Sequence, residues 1–312
     1  MKLSDRAKEN TKKVFRYAIQ AGIIGYLAYQ LYDIGWEKLV NSLPAEPLFY
    51  LLYGLIYFSL PIAEIFIYKL KWPLKWKAAL PIFIQKKVLN TDVVGYSGEL
   101  YLYHWAKNNL PLQPKDIAKY IKDNNVLSSI ASTFITIVLL YYFVTQGYIN
   151  IYDYLNEIDS LTGVAIVIGI LILGGLVYRF RKFIFSLGWK DSLKVFGLHS
   201  SRIILINVLQ ILQWEVAKPE ISMAVWFTLA VILIVSTRVP FLPSTDVLFV
   251  TVALQVSGML DVPNDLLAGI LTANLVMKRI LNIVTYFIAN LYKQEVDEND
   301  IAKEKEEINN AV

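Results

Sequence analysis

The sequence contains no cysteine. That excludes disulfides, cysteine-held zinc, iron–sulfur clusters and thiol catalysis. Histidine is nearly as scarce, with only His104 and His199, which leaves little for a histidine-based metal site. Charge is thin as well: 18% of residues are charged and 56% are hydrophobic. A soluble domain of this length carries more charge. Catalytic signatures are also missing. There is no G-x-S-x-G, no H-E-x-x-H, no nucleotide-binding P-loop and no dinucleotide-binding glycine fingerprint. Nothing marks a nucleic-acid surface. The expectation is a protein that is not an enzyme and uses no cofactor, metal or nucleic acid.

What the 312 residues do contain is long apolar runs, with a mean hydropathy of +0.46. A helical span needs about 20 mostly apolar residues. Clear candidates are 14–33, 47–69, 127–147, 160–178, 221–237 and 265–290, with 196–214 more polar but correctly flanked. Two further segments are awkward. Residues 78–106 are interrupted by Pro81, Lys86, Lys87, Asn90, Asp92, Gly95, Gly98 and Glu99, and 239–260 opens with Pro240 and Pro243. Broken backbone of this kind is tolerated at membrane depth only where protein or a wet cavity covers it. The fold class expected is therefore all-α: a polytopic helical membrane protein with about eight spans plus broken or re-entrant helices. The transmembrane domain covers 1–292, and 293–312 form a charged cytoplasmic tail. The basic start "MKLSDRAKENTKK" leads into a long apolar run without an A-x-A site, so we expect a retained first span.

Positive charge orients the spans. Lys2, Arg6, Lys8, Lys12 and Lys13 precede the first; Lys69, Lys71, Lys75, Lys77, Lys86 and Lys87 follow the second. Later come Lys107, Lys115, Lys119 and Lys122, then Arg179, Arg181, Lys182, Lys190 and Lys194. Loop 148–159 instead holds Asp153, Glu157 and Asp159 with no Lys or Arg. Both termini are thus expected in the cytoplasm. His104 and His199 are expected at interfaces.

The polar residues at membrane depth are the informative ones. On a helix, Asn274, Lys278, Asn282 and Thr285 fall within an arc of about 80°, and Arg279 widens that face. His199, Arg202, Asn207, Gln210 and Gln213 share an arc of about 140° on another span. A cation at the centre of a span costs about 2.5–3.5 kcal/mol, so these faces need each other or a hydrated cavity. Acidic partners are available in Asp92, Glu99 and Asp246, with Glu64 just after Pro61. One reading pairs Arg279 with Asp246 or Glu99 as a structural lock. The other offers Arg279 to an anionic headgroup, because its fork matches phosphate. The two broken segments also resemble each other weakly, "LNTDV" against "LPSTDV". Paired breaks of this kind point to a transporter binding site.

"GYSGELYLYHWA" at 95–106 and the stretch from Arg238 to Ala289 together resemble the flippase-like transmembrane domain of the lysylphosphatidylglycerol synthase family. Asn90, Gly95, Gly98 and Glu99 fall on its first motif, and Pro240, Pro243, Asp246, Gly258 and Arg279 on its second. Val93 and Val94 stand where that family has Pro, no Arg follows Gly-Glu, and "STD" replaces a Gly-rich stretch. The chain ends where the family's soluble aminoacyl-transferase domain would begin, so lysine transfer is not implied. The resemblance implies a flippase-like protein of the bacterial inner membrane whose partner is a membrane lipid or lipid-linked molecule. Asn90, Asp92, Glu99, Arg202, Asp246, Asn274, Lys278, Arg279 and Asn282 are the residues expected to bind or translocate it. A membrane-embedded lipid-modifying enzyme and a non-transporting scaffold are the alternatives. Oligomeric state stays open, a homo-oligomer included.

Overall fold

The computed structural model describes residues 36–92, 96–146, 186–237 and 245–310, together with residues 29 and 32. The expected spans 14–33 (those two residues apart) and 160–178 and the loop 148–159 lie outside the described residues. So do the N-terminal cations, Arg179, Arg181, Lys182, Val93, Val94, Gly95, Pro240 and Pro243.

Regular structure among the described residues is entirely helical. In chain order the helices are α1 (Trp36–Asn41), α2 (Pro47–Lys69), α3 (Trp76–Asp92), α4 (Ser97–Asn109) and α5 (Pro114–Thr145). After these come α6 (Trp189–Ala217), α7 (Met223–Ser236), α8 (Thr245–Val256) with a 3-10 turn at Ser257–Leu260, and α9 (Asn264–Asn310). Among the described residues, α2, α5, α6 and the Asn264–Tyr292 part of α9 are long and apolar enough to cross a bilayer. That marks the chain as a helical membrane protein.

The surface of these helices agrees. Leu48, Leu51, Leu55, Ile62 and Phe66 are exposed along one side of α2. Val276, Ile280, Ile283, Val284, Phe287 and Leu291 form a similar exposed stripe on α9. Their three- and four-residue spacing puts them on a single helix face. In water such stripes are aggregation liabilities. Lipid tails solvate them without penalty.

The described residues fall into two compact units. The first takes those up to Leu55, from Leu139 to residue 146, and from Asn207 to Arg279; the second takes the rest. In the first, Trp214 stacks on Phe249 (centroids 6.0 Å apart, planes at 22°) and lies 6.1 Å from Trp226. Leu229, Leu254, Leu267 and Leu271 close around these rings. Gly269 is required there, because a Cβ would stand 2.2 Å from the Ser42 carbonyl oxygen.

The core of the second unit centres on Tyr68. Its ring lies 4.5 Å from that of Trp72, 5.1 Å from Phe83 and 5.3 Å from Tyr120. Leu102, Ala106, Ile117 and Val195 complete this core. The interruption expected within 78–106 is more local than the sequence suggests. Helix α3 runs unbroken through Pro81, Lys86, Lys87 and Asn90, and α4 starts afresh at Ser97. Tyr96, in the left-handed region at φ 70°, leads into α4.

Candidate functional site: buried charges of the second unit

The start of α4 is built by its neighbour. The Asn90 side chain on α3 accepts a hydrogen bond from the Gly98 N–H (2.7 Å) and donates to Glu99 Oε1 (3.1 Å). The Ser97 hydroxyl donates to the Leu89 carbonyl at 2.7 Å. One of the four N–H groups that a helix start leaves unpaired is thus satisfied from another helix. Asn90 also fixes the Glu99 carboxylate, which points back towards α3.

There it meets Lys86. This lysine is 2% exposed and bonds Glu64 of α2, with Glu99 Oε1 at 3.4 Å. The Tyr68 ring faces the same ammonium, 5.8 Å from centroid to nitrogen. Arg202 on α6 is close enough to Glu64 to interact electrostatically, and His199 feels both Arg202 and Lys86. Two cations therefore balance two carboxylates in a desolvated setting. Isolated charges here would cost several kcal/mol each; paired ones are tolerated. The pairing is incomplete in its hydrogen bonds. Glu99 Oε2, Arg202 Nε, His199 Nδ1 and the Ser200 hydroxyl are shielded from solvent and have no partner among the described residues.

A second polar group lies on the same unit. Pro61 has no N–H, so α2 cannot close a hydrogen bond onto the Tyr57 carbonyl four residues back. Lys87 Nζ donates to that carbonyl at 2.5 Å and sits 3.2 Å from the centre of the Tyr57 ring. The Tyr57 hydroxyl donates to Asn282 Oδ1 (2.8 Å) and lies 2.9 Å from Thr285 Oγ1. Asn282 in turn donates to Asp92 Oδ2 at 2.9 Å. Tyr57→Phe should lower stability by about 1 kcal/mol in detergent unfolding. No measurable loss would mean that water takes the place of the hydroxyl.

The first unit holds the remaining predicted residues. Lys278 bonds Asp246, so Asp246 has the neighbour of Arg279 as its partner. Arg279 itself is exposed. Asn274 and the fully buried Gln213 exchange amide hydrogen bonds, at 2.8 and 3.3 Å. Gln213 also donates to the Phe49 carbonyl at 3.2 Å. The polar faces of α6 and α9 meet at this amide pair.

Sequence reasoning missed three things. The sequence sets Lys86 and Lys87 among the flanking cations and among the interruptions of 78–106, yet both are spent inside: Lys86 on carboxylates, Lys87 on a backbone oxygen freed by Pro61. His199 is 1% exposed and lies 2.9 Å from Asn124 Oδ1, a partner the sequence does not point to. A continuous helix over 76–92 points to the role of Lys86, since it places Lys86 and Asn90 one turn apart on a single face. Asp123, fully buried, was not singled out at all. Among the described residues, no group of three His, Asp or Glu side chains is placed to hold a metal ion. No protein-family model matches the chain, and neither does any curated protein or solved structure.

Proposed function

We propose that this chain is a flippase-like protein of the bacterial inner membrane that binds and moves an amphipathic phospholipid or lipid-linked molecule. In this reading it crosses the membrane about eight times with both termini cytoplasmic, as its resemblance to the flippase-like domain of lysylphosphatidylglycerol synthases implies. One observation carries it: the charge cluster of the second unit leaves polar atoms unused. Buried polar atoms without partners are rare and costly, and a cluster of them calls for water or a polar ligand. Arg202 Nε offers a donor to a phosphate oxygen, and Glu99 Oε2 offers an acceptor. Asn90 holds the carboxylate, while Asp92 and Asn282 give a second polar step on the same unit. In the first unit Arg279 is the phosphate ligand, and Asp246, Lys278 and Asn274 form its polar surroundings.

The ion pairs themselves favour one rival, a scaffold in which Lys86, Glu64 and Glu99 serve packing alone. Lipid translocation in proteoliposomes separates the two. Wild type should move labelled lipids with a headgroup preference, and folded Glu99→Gln and Arg279→Ala should each lose most of that movement. If wild type moves no lipid of an anionic, zwitterionic and cationic panel faster than empty vesicles, the translocation reading fails. If both folded variants move lipid as wild type does, the scaffold role of the charges stands.

A further inference from the structure

The second unit also contains a cleft of about 280 Å3, lined among others by Lys71, Trp72, Leu112, Lys119, Tyr120 and Leu187. It lies just past the C-terminal end of α2 and beside the first turns of α5 and α6, where three helix ends meet. None of the residues proposed above for translocation lines it. The Tyr120 hydroxyl is occupied by the Ile67 carbonyl (2.6 Å), and the Trp72 and Tyr120 rings pack 6.0 Å apart. Together with Leu112 and Leu187 they make the lining largely apolar.

Two of the three nearby aspartates are committed to the protein. Asp123 Oδ2 accepts from the Ser186 N–H (2.8 Å), the Ser186 hydroxyl (2.7 Å) and the Leu187 N–H (2.8 Å). Its other oxygen lies 3.2 Å from Lys122 Nζ. Asp191 holds Lys71 at 2.6 Å. Asp116 is loosely placed, 3.5 Å from Lys119 with both side chains about half exposed. The segments that build the cleft, 69–77, 107–123 and 186–194, hold ten lysines against these three aspartates. The local field therefore attracts anions.

We propose that this cleft binds the headgroup and glycerol backbone of an anionic glycerophospholipid. The phosphate takes Lys119 in place of the exposed Asp116 and shares Lys71 with Asp191. Trp72, Leu112 and Leu187 receive the glycerol and the first acyl carbons. Basic pockets between spans on a cytoplasmic face suit such headgroups, whereas a soluble phosphate would have no use for the apolar lining. The site is independent of the translocation reading, and it stands or falls by lipid binding alone.

The test is native mass spectrometry of the delipidated full chain in detergent. Its probes are phosphatidylglycerol, phosphatidylcholine of the same acyl chains and sn-glycerol 3-phosphate. Phosphatidylglycerol should bind in preference to phosphatidylcholine. Lys71→Gln with Lys119→Gln should weaken it about thirtyfold, at roughly one surface-lysine increment per side chain. Lys75→Gln with Lys190→Gln, an equal charge loss outside the lining, should change binding little. Lys71→Arg with Lys119→Arg should retain it, which guards against a folding defect in the glutamine pair. Equal binding of the two lipids would overturn the proposal, as would equal weakening by the two glutamine pairs. Tight binding of glycerol phosphate with the same lysine dependence would replace the lipid by a soluble phosphate, and so overturn it too.

Discussion

Replacing Lys86 with methionine is expected to lower the stability of the purified protein by about 3–5 kcal/mol. Methionine fills much the same volume, so the loss is electrostatic in origin. Glu64 and Glu99 would lose the ammonium they share in a desolvated pocket, leaving Arg202 to act on Glu64. The control is the triple variant that adds Glu64→Gln and Glu99→Gln. It should recover much of the loss, because removing a whole buried ion set costs far less than breaking it. Detergent unfolding of the three proteins is the measurement. A loss below about 1 kcal/mol for Lys86→Met would show that water reaches the carboxylates and that the cluster is an open cavity.

Gly98→Ala should be nearly as damaging, at about 3 kcal/mol, for a steric reason. An alanine Cβ would lie 2.1 Å from the Lys86 carbonyl oxygen and 2.8 Å from Asn90 Oδ1. Backbone cannot swing aside as the end of a side chain can, so α4 must move away from α3. The Asn90 bond to the Gly98 N–H and the hold on Glu99 would go with it. Gly54 provides a control of opposite sign. Among the described residues, nothing lies within 4 Å of a Cβ built there, inside α2. Gly54→Ala should leave stability unchanged or raise it by up to about 1 kcal/mol. Equal effects at the two glycines would refute the close helix contact.

The long apolar helices were legible because their signal is long. The run 47–69 coincides with α2, and 265–290 lies within α9. The face shared by Asn274, Lys278, Asn282 and Thr285 was also readable from helical spacing alone. Partners were not. Nothing in the sequence says that Asp246 meets Lys278 when Arg279 stands beside it, since a rotation of about 100° decides between them. Lys87 shows the same limit more sharply. Its acceptor is a carbonyl left open by a proline 26 positions earlier, and backbone acceptors carry no residue-type signature. The buried His199–Asn124 pair joins residues 75 apart and was equally invisible to local pattern.

The cap that Asn90 supplies to α4 bears on how the protein is made. Helix α4 has 13 residues and α3 has 17, so they extend about 20 and 26 Å against a hydrocarbon core of about 30 Å. A lone segment as short as α4 is marginal as a helix, and one of its first N–H groups, that of Gly98, takes its acceptor from α3. Neither segment is a good insertion substrate by itself, with Lys86, Lys87 and Asp92 on one and Glu99 on the other. Helix α4 is therefore expected to hold its form at membrane depth only when packed against α3, where Glu99 joins Glu64 in answering Lys86.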